Sequence, residues 1–260
     1  MFSTSASYRL ITANLQRSLE NVAQQPLPSR EIEYYKQEIS NIKSVDDFMA
    51  NDRIYRFAMK AFGLEELSYA KGLIRKLLDQ GADDPQGLAN QLADPRYRDL
   101  ATTFNFVRYG TSTTAFTDAT QGTVDRYIRQ SLEEEAGSTN EGVRLALYFE
   151  RKAPDINGPF NVLGDRALLQ VVQTATGISP ATASQPIDKQ AEEIAKRIDL
   201  SELKDPDKLA EFLTRFTTLW EIDNPSSAPA SSQIAALQPA PFGIDVNTLM
   251  SLQNIKYGGR

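Results

Sequence analysis

Neither cysteine nor histidine occurs in the 260 residues. Without thiolate or imidazole there can be no disulfide, no thiol nucleophile, no Ser-His-Asp or Cys-His arrangement, and no zinc or iron–sulfur site of the usual ligand types. The side chain best suited to proton transfer near neutral pH is missing too. An enzyme built on this chain would depend on Asp, Glu, Lys, Tyr or Ser, or on a cofactor. No apolar run approaches the ~20 residues that cross a bilayer. The opening "MFSTSASYRLITANLQRSLENV" lacks the apolar stretch of a cleaved secretory signal. Cytoplasmic residence, or export without a cleaved signal, is therefore expected. There is no excess of positive charge: the net charge is −6, so a broad nucleic-acid footprint is not expected. No Asn-Gly or Asp-Gly turn lies between alternating apolar runs, so hairpins are not expected either.

What is present is helical periodicity nearly throughout, and it predicts an all-α, multi-helical fold. Tyr8, Ile11, Leu15, Leu19 and Val22 recur at steps of three and four, one apolar stripe on a helix. A helix is expected over Tyr34–Ile42 after "PLPS". Ser44 and Asp47 read as a capping box, and Ile54, Phe57, Ala58, Ala61 and Phe62 as a buried face ending at Gly63. Leu67 to Leu78 repeats that pattern and ends near Gly81. Asp84-Pro85, Asp94-Pro95 and Asp205-Pro206, with Ser179-Pro180, read as helix starts: the side chain caps and the proline has no N–H to lose. Further helices are expected over 124–136, from a Ser138/Glu141 capping box to Phe149, and over 164–176, 187–199 and 206–221.

The expected organisation is an N-terminal amphipathic helix and linker (1–33), a first helical lobe (34–107), a Thr/Ser/Gly connector (108–123), a second lobe (124–222), a Pro/Ser/Ala linker (223–243) and a short C-terminal helix (244–260). The two lobes carry a faint repeat. "YYKQEISNIKSVDDFMANDRIYRFAMKAFG" (34–63) matches "YFERKAPDINGPFNVLGDRALLQVVQTATG" (148–177) in an opening aromatic pair, an Asp-Arg step and a closing glycine. Aligning Asp52-Arg53 on Asp165-Arg166 needs one-residue adjustments. Such a duplication would build two similar lobes packed through shared apolar faces.

Chemical motifs are sparse. "GTSTTAFTDATQG" has neither phosphate-loop glycine spacing, and "GADDPQG" lacks the alternating oxygen ligands of a calcium loop. No cofactor or metal site is expected. Glu133, Glu134 and Glu135 fan over about 200° of a helix and are expected to form a solvated face. Arg129 and Glu133 are spaced for an i,i+4 pair, worth ~0.2–0.5 kcal/mol at a surface. "YRFAMKAF" and "VRLALYFERK" mix basic and aromatic residues as amphipathic helices do when Arg stems border the apolar face. Trp220, after Phe212, Phe216 and Leu219, is expected in the core.

The stretches "RQSLEEEAGSTNEGVRLALYFERKA", "SVDDFMANDRIYRFAMKAFGLE", "QLADPRYRDLATTFNF" and "GIDVNTLMSLQNIKYGGR" span both halves. In them the chain resembles an alphaproteobacterial family of unknown function whose genes commonly lie in flagellar gene clusters. The resemblance implies a role at the bacterial flagellum and brings no catalytic or cofactor residues. The chain departs from rod and hook subunits: it has no Asn-rich start ahead of a Pro-Gly turn and reads helical, not β-rich. The expectation is a non-enzymatic flagellar structural or assembly protein with flagellar proteins as partners. Its contact stripes would be Ile11, Leu15 and Leu19 and Val246, Leu249 and Leu252, and homo-oligomers are compatible with such stripes. Two alternatives stand beside it: a cytoplasmic helical chaperone or regulator of flagellar export, and an enzyme using carboxylates or Lys.

Overall fold

Side chains that cap helices punctuate this fold, and the positions of those caps define its elements. The structure, a computed structural model, describes residues 2–225. The chain begins with α1 (Thr4–Ala13), α2 (Leu15–Ala23) and α3 (Pro26–Glu38), then α4 (Val45–Ala50), α5 (Asp52–Ala61) and α6 (Lys71–Gln80). Short helices α7 (Leu88–Gln91), α8 (Pro95–Thr103) and α9 (Phe106–Tyr109) lead to the long α10 (Thr123–Thr139). The second half holds α11 (Glu141–Lys152), α12 (Pro159–Leu163), α13 (Arg166–Thr176), α14 (Ile187–Arg197) and α15 (Pro206–Asp223). No strand occurs among the described residues, so the fold is all-α. The stripe Val246, Leu249, Leu252 and nearly all of the 223–243 linker lie outside the described residues.

Several expected boundaries hold. Ser44 Oγ accepts from Asp47 N at 3.1 Å, while the Asp47 carboxylate takes the N–H of Lys43 at 3.0 Å, one residue earlier than a strict capping box. Asp94, Asp205 and Ser179 accept from the second residue beyond them, at 2.9, 2.8 and 3.3 Å, with proline first in each helix or 3-10 turn. Gly63 and Gly177 end α5 and α13 at φ 68° and 70°, a region where a Cβ is strained.

Others are corrected. The N-terminal stripe is not one helix: the backbone breaks at Asn14 (φ −136°, ψ 48°), and α2 starts afresh. "PLPS" lies inside α3, with Pro26 at a position where no N–H is needed. Asp84-Pro85 opens a turn and no helix: Asp84 accepts from Gln86 N at 2.9 Å, and its carbonyl takes the Asn90 side-chain amide at 2.8 Å. The 108–123 segment is no bare connector. It winds through a 3-10 turn (Gly110–Ala115) and a π turn (Asp118–Gly122), and buries Thr113, Thr114 and Ala119. The Thr114 hydroxyl donates to the Ile42 carbonyl at 2.8 Å, satisfying a buried acceptor that no helix reaches.

Gly137-Ser138-Thr139 does not interrupt its helix. Ser138 donates back to the Glu135 carbonyl at 2.7 Å, and Gly137 is small because an added Cβ would stand 2.7 Å from Arg144 Cδ. The break falls at Asn140, extended at φ −155°, whose Oδ1 caps α11 by accepting from Gly142 N at 2.9 Å. The Asn140 amide also donates to Thr4 Oγ1 at 2.9 Å, so one side chain starts α11 and anchors α1.

Phe2–Asn224 fold as one unit containing two clusters of buried apolar residues. The first runs from Tyr35 to Tyr127 and is threaded by stacked rings: Tyr35 on Phe57 at 4.2 Å and Phe57 on Tyr127 at 4.0 Å. The second runs from Val143 to Trp220 and takes in Tyr8 from α1. Trp220 is in this core, as expected, packed so tightly on Gly142 that a Cβ there would stand 2.3 Å from its Cδ1. The two halves repeat the same order: a long helix, a 3-10 turn, a short helix, then a helix closed by a positive-φ glycine. One constant interval relates Tyr35 to Phe149, Ile42 to Ile156, Phe48 to Val162, Ile54 to Leu168, Ala58 to Val172 and Ala61 to Ala175, and all are buried. That interval pairs Asn51, not Asp52, with Asp165, and both side chains cap the helix that follows. The equivalence thus runs through the caps, and the adjustments demanded by the Asp-Arg alignment vanish.

Candidate functional site

Helix α10 carries Val124 and Tyr127 into the first cluster and lies against α5 on one side and α11 on another. Residues on more than one face of it are therefore buried. Glu133 is the consequence. Its side chain is 1% exposed, against the expectation of a solvated face, and it accepts from Arg129 at 3.1 Å and from Arg151 at 2.8 Å. Arg129 also donates to the Leu147 carbonyl at 2.9 Å and reaches Glu150 at 3.4 Å. This buried network binds α10 to α11. Burial pushes the Glu150 carboxyl above its ordinary value, with the Arg129 charge opposing that shift. Of the neighbouring acids, Glu134 pairs with Lys60 at 2.6 Å, and Glu135 accepts from Gln25 at 2.8 Å.

A cleft of about 920 Å³ opens beside this network, with walls from both halves: Gly63, Glu65 and Arg96 from the first, Tyr148, Asp165 and Arg166 from the second, and α10 between them. Four of the six acids on its walls are held by other side chains or by a helix end, Glu134 among them. Asp94 holds Arg96 at 2.7 Å and Glu141 holds Arg144. Asp165 caps α13 through Oδ1 and accepts from the Tyr148 hydroxyl through Oδ2 at 2.5 Å. Burial and then the Asp165 charge push the Tyr148 phenol well above its usual range, so it stays protonated and donates.

A tyrosine hydrogen-bonded to a carboxylate in a cleft is a candidate acid, but the repeat supplies an internal comparison. The interval that pairs Asp165 with Asn51 pairs Tyr148 with Tyr34. The Asn51 amide donates to the Tyr34 hydroxyl at 3.1 Å, and an arginine covers each ring: Arg53 over Tyr34 at 4.0 Å and Arg151 over Tyr148 at 5.1 Å. The same latch therefore stands in both halves, fixing a helix cap to the long helix before it. Among the described residues no three acidic side chains come together as metal ligands.

A second concavity, about 350 Å³ and mainly apolar, lies where α1 and α2 meet α10 and the start of α11. Ile11, Leu10, Val22, Leu132, Ala136 and Val143 line it, with a rim of Ser7, Asn21, Gln25 and Thr139. Of the stripe residues expected to make contacts, Ile11 is half-buried and packs against the second cluster, while Leu15 and Leu19 are half-buried on α2. Leu10, which the stripe omitted, is 62% exposed at the groove's edge. The break at Asn14 rotates the two helices relative to each other, and a stripe drawn on one continuous helix cannot show that. Both concavities need elements far apart in the chain, so neither has a sequence signature.

The class defined by this architecture is an all-α fold of two repeated helical halves around a bridging helix. Residues 61–209 match the family described as "Protein of unknown function (DUF1217)", and the chain belongs to it. The crystal structure of protein AGR_C_984 from Agrobacterium tumefaciens is similar: 48% identical, with a TM-score of 0.81 over 85% of this chain and 94% of that one. No curated protein matches the chain.

Proposed function

We propose that the chain is a non-enzymatic, flagellum-associated structural or assembly protein that acts through helix-mediated protein contacts. The flagellar part rests on the resemblance in the four quoted stretches. The observation that carries the contact part is the apolar groove of α1, α2 and α10, with Leu10 exposed on its lip. What sets Leu10 apart from the other exposed apolar side chains is that it continues an apolar concavity, and a contiguous apolar surface of that kind marks an interaction site. Among the described residues Glu135 is the groove's one charged residue, and it is already bound by Gln25. The partner surface it fits is the uncharged apolar face of an amphipathic helix, with polar groups of that helix meeting Ser7, Asn21 and Thr139. The non-enzymatic part is supported by the paired state of Asp94, Glu134, Glu141 and Asp165 in the cleft and by the latch repeated at Tyr34 and Tyr148.

Deleting the first 24 residues is a poor test, because Tyr8 and Val22 are buried and the deletion would strip the second core. Leu10→Asp changes the lip without entering the core. The expected outcome is a folded variant that loses a partner captured by the wild-type chain from flagellated cells, with reduced motility. Unchanged capture and motility would overturn the groove assignment. The net charge of −6 favours a cytosolic export chaperone as second reading. Presence in purified basal bodies or culture medium supports the first reading, and confinement to cytosol the second.

A further inference from the structure

Five arginines are half-buried among the described residues: Arg96, Arg126, Arg129, Arg144 and Arg151. Four hold carboxylates: Arg96 with Asp94, Arg129 and Arg151 with Glu133, and Arg144 with Glu141. Arg126 has no ion-pair partner among the described residues. Its one polar contact is to the Asp118 carbonyl at a long 3.5 Å, and its guanidinium lies over the Phe62 ring at 5.1 Å. A guanidinium presents five N–H donors, and removing them partly from water without acceptors is unfavourable.

Arg126 lines a small recess at the seam between the halves, about 30 Å³, with Arg96, Arg151 and Lys152 and with Asp99 and Tyr148. The carboxylates holding these cations are Asp94, Glu133 and Asp99, the last bound by Lys152 at 3.1 Å. One cation is left over, and it is Arg126. The recess therefore holds one positive charge with no ion pair among the described residues. The recess shares Gly63, Arg96, Gln130 and Tyr148 with the large cleft, so it is the cationic end of that opening.

We propose that this recess is an oxyanion site in which Arg126, flanked by Arg151 and Lys152, binds one end of a small phosphorylated or carboxylated ligand. The volume admits roughly two or three water-sized groups, the room that the two or three oxygens of such an end occupy. A guanidinium fork beside an ammonium suits those oxygens in geometry and charge. The remainder of the ligand extends into the large cleft.

The test is calorimetric titration of the full chain with inorganic phosphate at low ionic strength. Wild type should show saturable binding, weakened about tenfold, near 1.4 kcal/mol, in Arg126→Ala. Arg126→Lys keeps the charge, loses the fork and should fall between; it also serves if the alanine variant folds poorly. Arg166→Ala, which alters an exposed arginine on the large cleft, should bind like wild type. Displacement of phosphate by acetate would support a carboxylated ligand, and failure to displace it a phosphorylated one. No saturable binding by wild type, undiminished binding by both Arg126 variants, or equal losses in Arg126→Ala and Arg166→Ala would each overturn the proposal.

Discussion

Glu133→Gln separates two accounts of one residue. If Glu133 and Arg129 form an exposed i,i+4 pair, the substitution removes ~0.2–0.5 kcal/mol. In the structure the carboxylate is 1% exposed and serves two arginines, of which Arg129 is 11% and Arg151 27% exposed. Removing one member of a buried charge network costs about 3–5 kcal/mol, because the partners stay behind uncompensated. Arg151 is screened in part by water, which places the expected loss near the lower end, about 3 kcal/mol. For a chain of this size that corresponds to a fall in Tm of roughly 6–12 °C, against at most about 2 °C for the exposed pair. Urea unfolding followed by fluorescence gives the number directly, since Trp220 is the sole tryptophan and sits in the second core. Replacing the group together (Arg129→Met, Glu133→Leu, Glu150→Gln, Arg151→Met) should restore most of the loss, because no charge of the network is then left without its partner. A Glu133→Gln loss below about 1 kcal/mol would refute the argument that this network joins α10 to α11.

Three further outcomes are expected. Asn140→Ala should lower stability by about 1–2 kcal/mol in urea unfolding, and Ser138→Ala by a few tenths at most, since only Asn140 caps α11; equal losses would restore the Ser138 cap. Gly142→Ala should cost at least about 1–3 kcal/mol and shift Trp220 emission, because the new methyl group overlaps the indole; an unshifted spectrum with wild-type stability would contradict that packing. Glu150 has a raised folded-state pKa, so its protonated form favours the fold: its contribution is full below the ordinary value of 4.5 and is lost as pH rises through the raised one. Stability of wild type relative to Glu150→Gln should therefore fall as pH rises from about 4 through the raised pKa, and a difference independent of pH would refute it.

Much of the fold was legible because local chemistry decides it. Capping side chains at Ser44, Asp94 and Asp205 and glycines at 63 and 177 act within one turn, and the structure uses all of them. The repeat was legible in its end points, but the exact register was not: aromatic, aliphatic and alanine residues exchange freely at buried positions, as Phe48 and Val162 show. What could not be read depends on distant partners. Glu133 looked solvated because its only visible partner was on its own helix, whereas Arg151 arrives from the next one. Asn14 and Asn140 break helices where no Pro or Gly announces it, and at Asn140 the reason is a contact with Thr4. The cleft, the recess and the groove arise only when the two halves meet.

The Thr4 anchor has a consequence for the order in which the chain assembles. Thr4 N–H meets the Glu221 carboxylate across 217 residues of sequence, and Tyr8 enters a cluster that Phe216 and Trp220 complete. Contacts so far apart form late, since the whole intervening loop must close first. On the ribosome the first cluster, Tyr35 to Tyr127, has all its residues before the last helix exists. The earliest-made helix, α1, must wait for the last-made one of this unit, and until then its apolar face stays open to any other surface that fits it.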